Sequence, residues 1–152
     1  MLRKIKKFFK LSAHERNLFM EAYYTLGIMR AAILSISFKR LVRPLEHWSK
    51  KGESIELSEE EKKMALAIGK AIKQAAAHTP WESACLVQAL TAQKMLKKRG
   101  ISGVFYLGVA RDEEKMKAHA WSQCGDILIT GGSGHGVFTV VSVFEWGKYD
   151  RI

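Results

Sequence analysis

Two cysteines and five histidines are the side chains of this 152-residue chain best suited to covalent or general-base chemistry. Cys85 stands inside "TPWESACLVQALTAQKMLKKRG", residues 79 to 100, within a mostly apolar run. There it can be a small buried hydrophobe. It can equally be a nucleophile, if a helix N-terminus or a neighbouring imidazolium favours the thiolate. The choice depends on a base elsewhere in the chain. His14 lies inside a helix-capping pattern, His47 follows Pro44 in a connector, and His78 precedes a helix start. His135 belongs to the glycine-rich run "GGSGHG" at 131 to 136. His119 differs, because it stands in "KAHAWSQC", on a predicted strand that follows the cysteine helix. A histidine on a strand facing a helix that carries cysteine is a nucleophile–base arrangement of acyl transfer, and the same position also suits a structural histidine.

Strand parity separates Cys124 from that pair. His119, Trp121 and Gln123 share one face of a regular strand, and Ala118, Ala120, Ser122 and Cys124 share the other. Cys124 is therefore expected to be a structural thiol pointing away from His119. No paired Cys/His spacing of the zinc kind occurs, so no metal site is expected. The chain has no GxGxxG or phosphate-loop pattern, and "GGSGHG" lies between two predicted strands, so it reads as a loop and no cofactor is expected.

The elements that must position these residues are marked by three capping boxes: Ser12-x-x-Glu15, Ser58-x-x-Glu61 and Thr79-x-x-Glu82. The first precedes a helical stripe of Leu18, Ala22, Leu26, Met29, Ile33 and Ile36, ending near Phe38 before Pro44. A polar linker covers residues 50 to 57. The second box opens a helix through Ala77 with Met64, Ala67, Ile68, Ala71, Ile72 and Ala75 inside. The third predicts a helix from Thr79, with Pro80 at its first position and Gly100 as its stop. That start leaves Cys85 in the second turn, whereas a start capped by Ser83 places it in the first. "VFYLGVA", "AHAWSQC", "DILIT" and "VFTVVSVF" then read as strands. Helices followed by adjacent strands specify an α+β fold, with the cysteine-bearing helix packed on an antiparallel sheet.

Composition fits one integrated domain, with residues 1–50 a basic N-terminal helical region and 51–152 the region that carries Cys85 and His119. The 47% hydrophobic and 10% aromatic content argues against disorder. No run of about 20 uncharged apolar residues predicts a membrane span, and no signal-peptide pattern follows the basic start, so a cytoplasmic location is expected. The net charge of +10 is uneven: residues 1 to 51 carry twelve Lys/Arg against three Asp/Glu, and the remainder is nearly neutral. The basic third could meet an acidic protein or peptide, or an anionic membrane surface. No aromatic–basic motif accompanies the charge, so nucleic acid is not an expected partner.

The segment "PWESACLVQAL", the "RG" ending that helix, a strand with "GV", and then "AHAW" with a Gly-containing hairpin resemble the transglutaminase-like cysteine peptidases. The closest resemblance is to the leader peptidases of lasso-peptide biosynthesis, strongly over residues 79 to 144. It implies a papain/transglutaminase-like fold and a Cys-His-Asp hydrolase that removes the leader from a ribosomally made precursor peptide. It also implies a leader-recognition protein as partner, with an ATP-dependent lasso cyclase acting next. Carried over, Cys85 is the nucleophile, His119 the base, and the Cys85 amide one oxyanion donor.

The family commonly has Asp twelve residues after the histidine, and here that position is Gly131. Asp126 does not substitute. With "GD" at 125 and 126 as a two-residue hairpin turn, it lies on the order of 20 Å along the strand from His119. The same turn pairs 121 with 130 and 119 with 132, which sets Thr130 on the His119 face as the expected orienting residue, through its hydroxyl or its backbone. A three-residue loop instead shifts the register by one and brings Ser133 opposite. Trp81 and Trp121 flank the pair, with Trp121 on the His119 face as the shield against water.

Overall fold

Ser12 opens the longest helix by the expected reciprocal cap: its hydroxyl accepts from the Glu15 amide (3.2 Å) and the Glu15 carboxylate accepts from the Ser12 amide (3.0 Å). The computed structural model describes residues 2–36, 56–81, 83–132 and 137–146. Among them, α1 is Leu2–Lys10, α2 Ala13–Ser35, α3 Glu59–Ala76 and α4 Cys85–Lys98. The strands are β1 Gly103–Asp112, β2 Lys115–Cys124, β3 Ile127–Thr130 and β4 Thr139–Trp146. Ser58 caps α3 by accepting from the Glu61 amide at 3.2 Å. The residues read as linker from 50 to 55 lie outside the described residues.

The sheet is antiparallel throughout, in the order β3-β2-β1-β4. The fold is therefore α+β, consistent with a transglutaminase-like architecture. One core joins all layers. Leu18, Ala22 and Leu26 of α2 meet Ile68 and Ile72 of α3, Val87, Leu90 and Leu96 of α4, and Phe105, Ala120 and Phe144 of the sheet. Phe105 and Phe144 stack at 5.4 Å between centroids. Leu26 has no exposed surface, so truncating it to Ala costs about 2–5 kcal/mol in lost transfer energy and cavity formation.

The helices cover the sheet face that carries Phe105, Ala120, Ser122 and Cys124. Helix α4 lies over β1, β2 and β3, while α3 runs beside β3. Gly125 and Asp126 make the expected tight turn, since Cys124 pairs with Ile127. The register then departs from expectation. A bulge between Ser122 and Gln123 leaves Ile129 as an extra residue, so Ser122 and not Trp121 pairs with Thr130. The result is the one-residue slip that a longer loop would also have produced. Ser133 lies outside the described residues.

Candidate active site

Cys85 is the first residue of α4, not a member of its second turn. Ala84 is the N-cap, with extended backbone (φ −75°, ψ 178°), and its carbonyl accepts from the Gln88 amide at 3.0 Å. The expected start at Thr79 fails because that hydroxyl serves the loop after α3. It lies 3.2 Å from the Ala76 carbonyl, 3.0 Å from the Trp81 carbonyl and 2.8 Å from the Ser83 hydroxyl. Glu82, the other half of that box, lies outside the described residues. Among the described residues no side chain caps α4, so its opening amides from Cys85 onward face the loop without an intrahelical acceptor.

Gln88, one turn further on, was not singled out by sequence. Its Nε2 donates to the Ser83 carbonyl at 2.8 Å, which ties the loop before Cys85 back onto the helix. That bond uses one N–H of the amide group and leaves the second free of it. The spacing Cys-x-x-Gln on a helix was the available signal, since residues three apart share a face.

Cys85, Gln88 and His119 line one cavity of about 660 Å³, together with Thr130, Gly131 and Gly132. His119 reaches it from the edge of the sheet. It pairs with Gly108 of β1 but has no partner in β3, which ends at Thr130. Along β2 it alternates with Ala120 and Ser122, which belong to the helix-covered face, so it does not face α4 squarely as expected from its place in sequence. Its ring lies 5.8 Å from that of Trp121 and 5.1 Å from that of Phe138. Trp121 is 3% exposed and stacks on Tyr106 in turn, so one side of the imidazole is sheltered from water. Burial raises the Tyr106 hydroxyl above its usual pKa, with Glu145 adding to the effect.

The partner of His119 is not Thr130. Its Nε2 lies 2.6 Å from the carbonyl oxygen of Gly131. The slipped register puts Thr130 on the opposite face, where its Oγ1 is 2.8 Å from the buried Ser122 hydroxyl. A carbonyl only accepts, so Nε2 carries the hydrogen of this bond. In the neutral ring that leaves Nδ1 with the lone pair, which is the atom a general base needs. The main chain of residue 131 thus orients the imidazole. It does so at the position where the resemblance leads one to expect a carboxylate.

No side chain fits there. Gly131 has φ +107°, and an added Cβ would stand 2.3 Å from the Cβ of Trp121. Asp126 lies in the hairpin turn, beside Glu56, Leu57 and Lys62 and away from this cavity.

Cys124 is fully buried on the helix-covered face, and burial foremost, with the Glu61 carboxylate, pushes its thiol up to about 12. Trp81 packs edge-on against Tyr23 of α2 at 5.1 Å and does not line the Cys85 cavity. Its role here is packing.

Residues 30–143 match the family model described as the Transglutaminase-like superfamily, which spans well over half of the chain. No curated protein and no solved structure matches.

Proposed function

The chain belongs to the transglutaminase-like superfamily, and from that premise we propose that it is a cysteine peptidase that removes the leader from a ribosomally made lasso-precursor peptide. The observation that carries the reading is the shared cavity of Cys85 at a helix start and His119 with Nε2 held by Gly131. The Cys85 thiol gives its proton to Nδ1 of His119, and the sulfur attacks the carbonyl carbon of the scissile peptide bond. The tetrahedral oxyanion forms beside the opening amides of α4, with the Cys85 N–H as first donor and the free N–H of Gln88 as second. On collapse, the His119 proton passes to the leaving amine and a thioester remains on Cys85. Water, deprotonated by His119, then attacks the thioester and releases the acid and the thiol. Amide transfer follows the same path to the thioester, with an amine in place of water.

The test is cleavage of candidate precursors with and without a leader-recognition protein. Cys85→Ala abolishes cleavage while precursor binding persists; cleavage retained by that variant ends the peptidase reading.

A recognition protein, and the cyclase that acts next, are proposed to dock on the basic N-terminal third. In α1 the side chains of Leu2, Ile5 and Phe9 are exposed among lysines, while Phe8 packs on Phe19 of α2 at 5.4 Å. Reversing the charge of Lys6, Lys7 and Lys10 weakens that association, and unchanged affinity removes this docking site. The same surface supports a second reading, a non-catalytic module that binds an acidic partner or membrane through α1. It gains from the neutral acceptor at Gly131, and rapid precursor cleavage excludes it.

A further inference from the structure

Helix α3 forms one wall of the Cys85 cavity because Gly69 lets it approach β3 closely. A Cβ at Gly69 would stand 2.9 Å from the Ile129 carbonyl oxygen. On the cleft side of that contact α3 presents Leu66, Lys70 and Lys73, at i, i+4 and i+7 and hence along one face. Leu66 is 56% exposed, which is unusual for a leucine on a cavity wall, and both lysines are exposed. The described lining of the cavity contains no Asp or Glu, and neither lysine has an ion pair among the described residues. The acids of α3, Glu59 to Glu61, are gathered in its first turn, more than two turns before Lys70. Lys73 also suits the negative end of the helix, but Lys70 stands a turn earlier and gains little there.

We propose that the cleft takes its peptide through a carboxylate-bearing segment, with Lys70 and Lys73 receiving the carboxylates and Leu66 an adjoining apolar side chain. This rests on the peptidase reading and adds the substrate class to it. The carboxylates are Asp or Glu side chains close to the scissile bond or a free C-terminal carboxylate, and both meet the ammonium groups by the same chemistry. The lysines act on binding and placement and do not touch the reacting atoms.

The experiment uses the full chain with Cys85→Ala, so that binding is read without turnover. Twelve-residue peptides labelled with an uncharged dye are compared by fluorescence anisotropy. One has two Glu beside a Leu, its twin has Gln at both places, and each is made with a free and an amidated C-terminus. The Glu peptide is expected to bind about tenfold tighter than the Gln twin, at roughly three- to fivefold per exposed pair. The difference shrinks between 50 and 300 mM salt, as the Debye length falls (on the order of 14 to 6 Å). Lys70→Gln/Lys73→Gln removes the preference, and Lys70→Glu/Lys73→Glu reverses it toward a Lys-bearing twin. Lys63→Gln/Lys94→Gln makes the same change in net charge outside the cleft and leaves it intact. A preference that follows the C-terminal amide alone assigns the site to the terminal carboxylate. Equal affinity for the twins combined with indifference to the C-terminal amide, no measurable binding of the Glu peptide, or equal loss in the Lys63/Lys94 control overturns the proposal. None of these outcomes depends on cleavage, so the peptidase reading stands or falls separately on the activity of Cys85.

Discussion

The Nε2 of His119 and the carbonyl oxygen of Gly131 lie 2.6 Å apart, so a main-chain group orients the imidazole where a carboxylate would be the usual choice. A carbonyl fixes the tautomer as a carboxylate does, but it brings no full charge to stabilise an imidazolium. The bond therefore predicts a specific protonation pattern. In the neutral ring the hydrogen sits on Nε2, and long-range proton–nitrogen NMR correlations of His119 will show it there. A ring protonated on Nδ1 contradicts this assignment.

The obvious repair, Gly131→Asp, fails on this backbone. Residue 131 has φ +107°, and any Cβ meets the Cβ of Trp121 at 2.3 Å. The strain alone costs about 1–3 kcal/mol, and the clash forces β3 or Trp121 to move. Gly131→Ala is expected to lower the melting temperature and the cleavage rate together, and Gly131→Asp to do no better. A gain of activity in Gly131→Asp shows that the strand end can rearrange to accept a carboxylate.

Gln88 offers a change that leaves packing nearly intact. Replacing it with Leu removes the 2.8 Å bond to the Ser83 carbonyl and the remaining amide N–H of a side chain that lines the cavity. The turnover number is expected to fall by about 10- to 100-fold, as for loss or misplacement of an oxyanion donor, with a small change in KM. Gln88→Glu keeps the length and removes the donors, so it should be as poor as Leu. Equal losses of stability and turnover in both variants would mean that Gln88 only packs.

The two thiols separate by exposure. Cys85 lines an open cavity, whereas Cys124 is fully buried with its thiol held up to about 12. Iodoacetamide at pH 8 is expected to label the native chain once, at Cys85, and both sites after denaturation. The sign of the linkage follows. A folded pKa raised from an ordinary value near 9 gives stability that is present below that value and lost as pH rises toward 12. Cys124→Ala therefore flattens the alkaline end of the stability curve, although its cavity lowers stability at every pH. Mapping of labelled peptides checks the first outcome and denaturant titrations at pH 7 and 10 the second.

What could be read in the sequence was set by local rules. Ser12 and Ser58 cap where the box pattern puts them, because each hydroxyl accepts from the amide three residues on, a contact made within four residues of chain. Four strands appear where β-branched or aromatic runs are separated by Gly or charge, and the Gly125–Asp126 turn closes as its residues specify. Thr79 departs from the pattern because Ser83 and the carbonyls of Ala76 and Trp81 take its hydroxyl, local partners on either side that the four-residue box does not contain. The Thr130 assignment failed on one extra residue, Ile129. A bulge inverts the facing of everything beyond it and leaves no mark in the alternation. The lysines of α3 were invisible because they enter the cavity only when α3, α4 and β3 are brought together, whereas Gln88 had its i+3 spacing from Cys85 as a signal.

The opposite end of α4 is fastened by a pair that should govern stability without touching turnover. Glu21 of α2 accepts from both terminal nitrogens of Arg99, at 3.0 and 2.5 Å, and Arg99 also donates to the Met95 carbonyl at 3.0 Å. Lys98 stands 3.5 Å from the same carboxylate but is far more exposed. The hydrogen bond from Arg99 holds the Glu21 carboxyl below its ordinary value of 4.5, against the opposing effect of burial. A depressed folded pKa gives stability that is present above the unfolded value and lost as pH falls through the folded one. Glu21→Gln is thus expected to be less stable than the parent chain by about 1 kcal/mol at pH 7. The gap narrows as pH drops below 4.5, where the parent loses the charge that the variant never had. Along the helix Cys85 is 14 residues from Arg99, on the order of 20 Å at 1.5 Å per residue, so cleavage at pH 7 should change little. Denaturant titrations of both proteins across pH 3 to 7, with cleavage at pH 7 alongside, decide the matter. A gap that does not vary with pH assigns the effect to lost packing between α2 and α4 instead of to the ion pair.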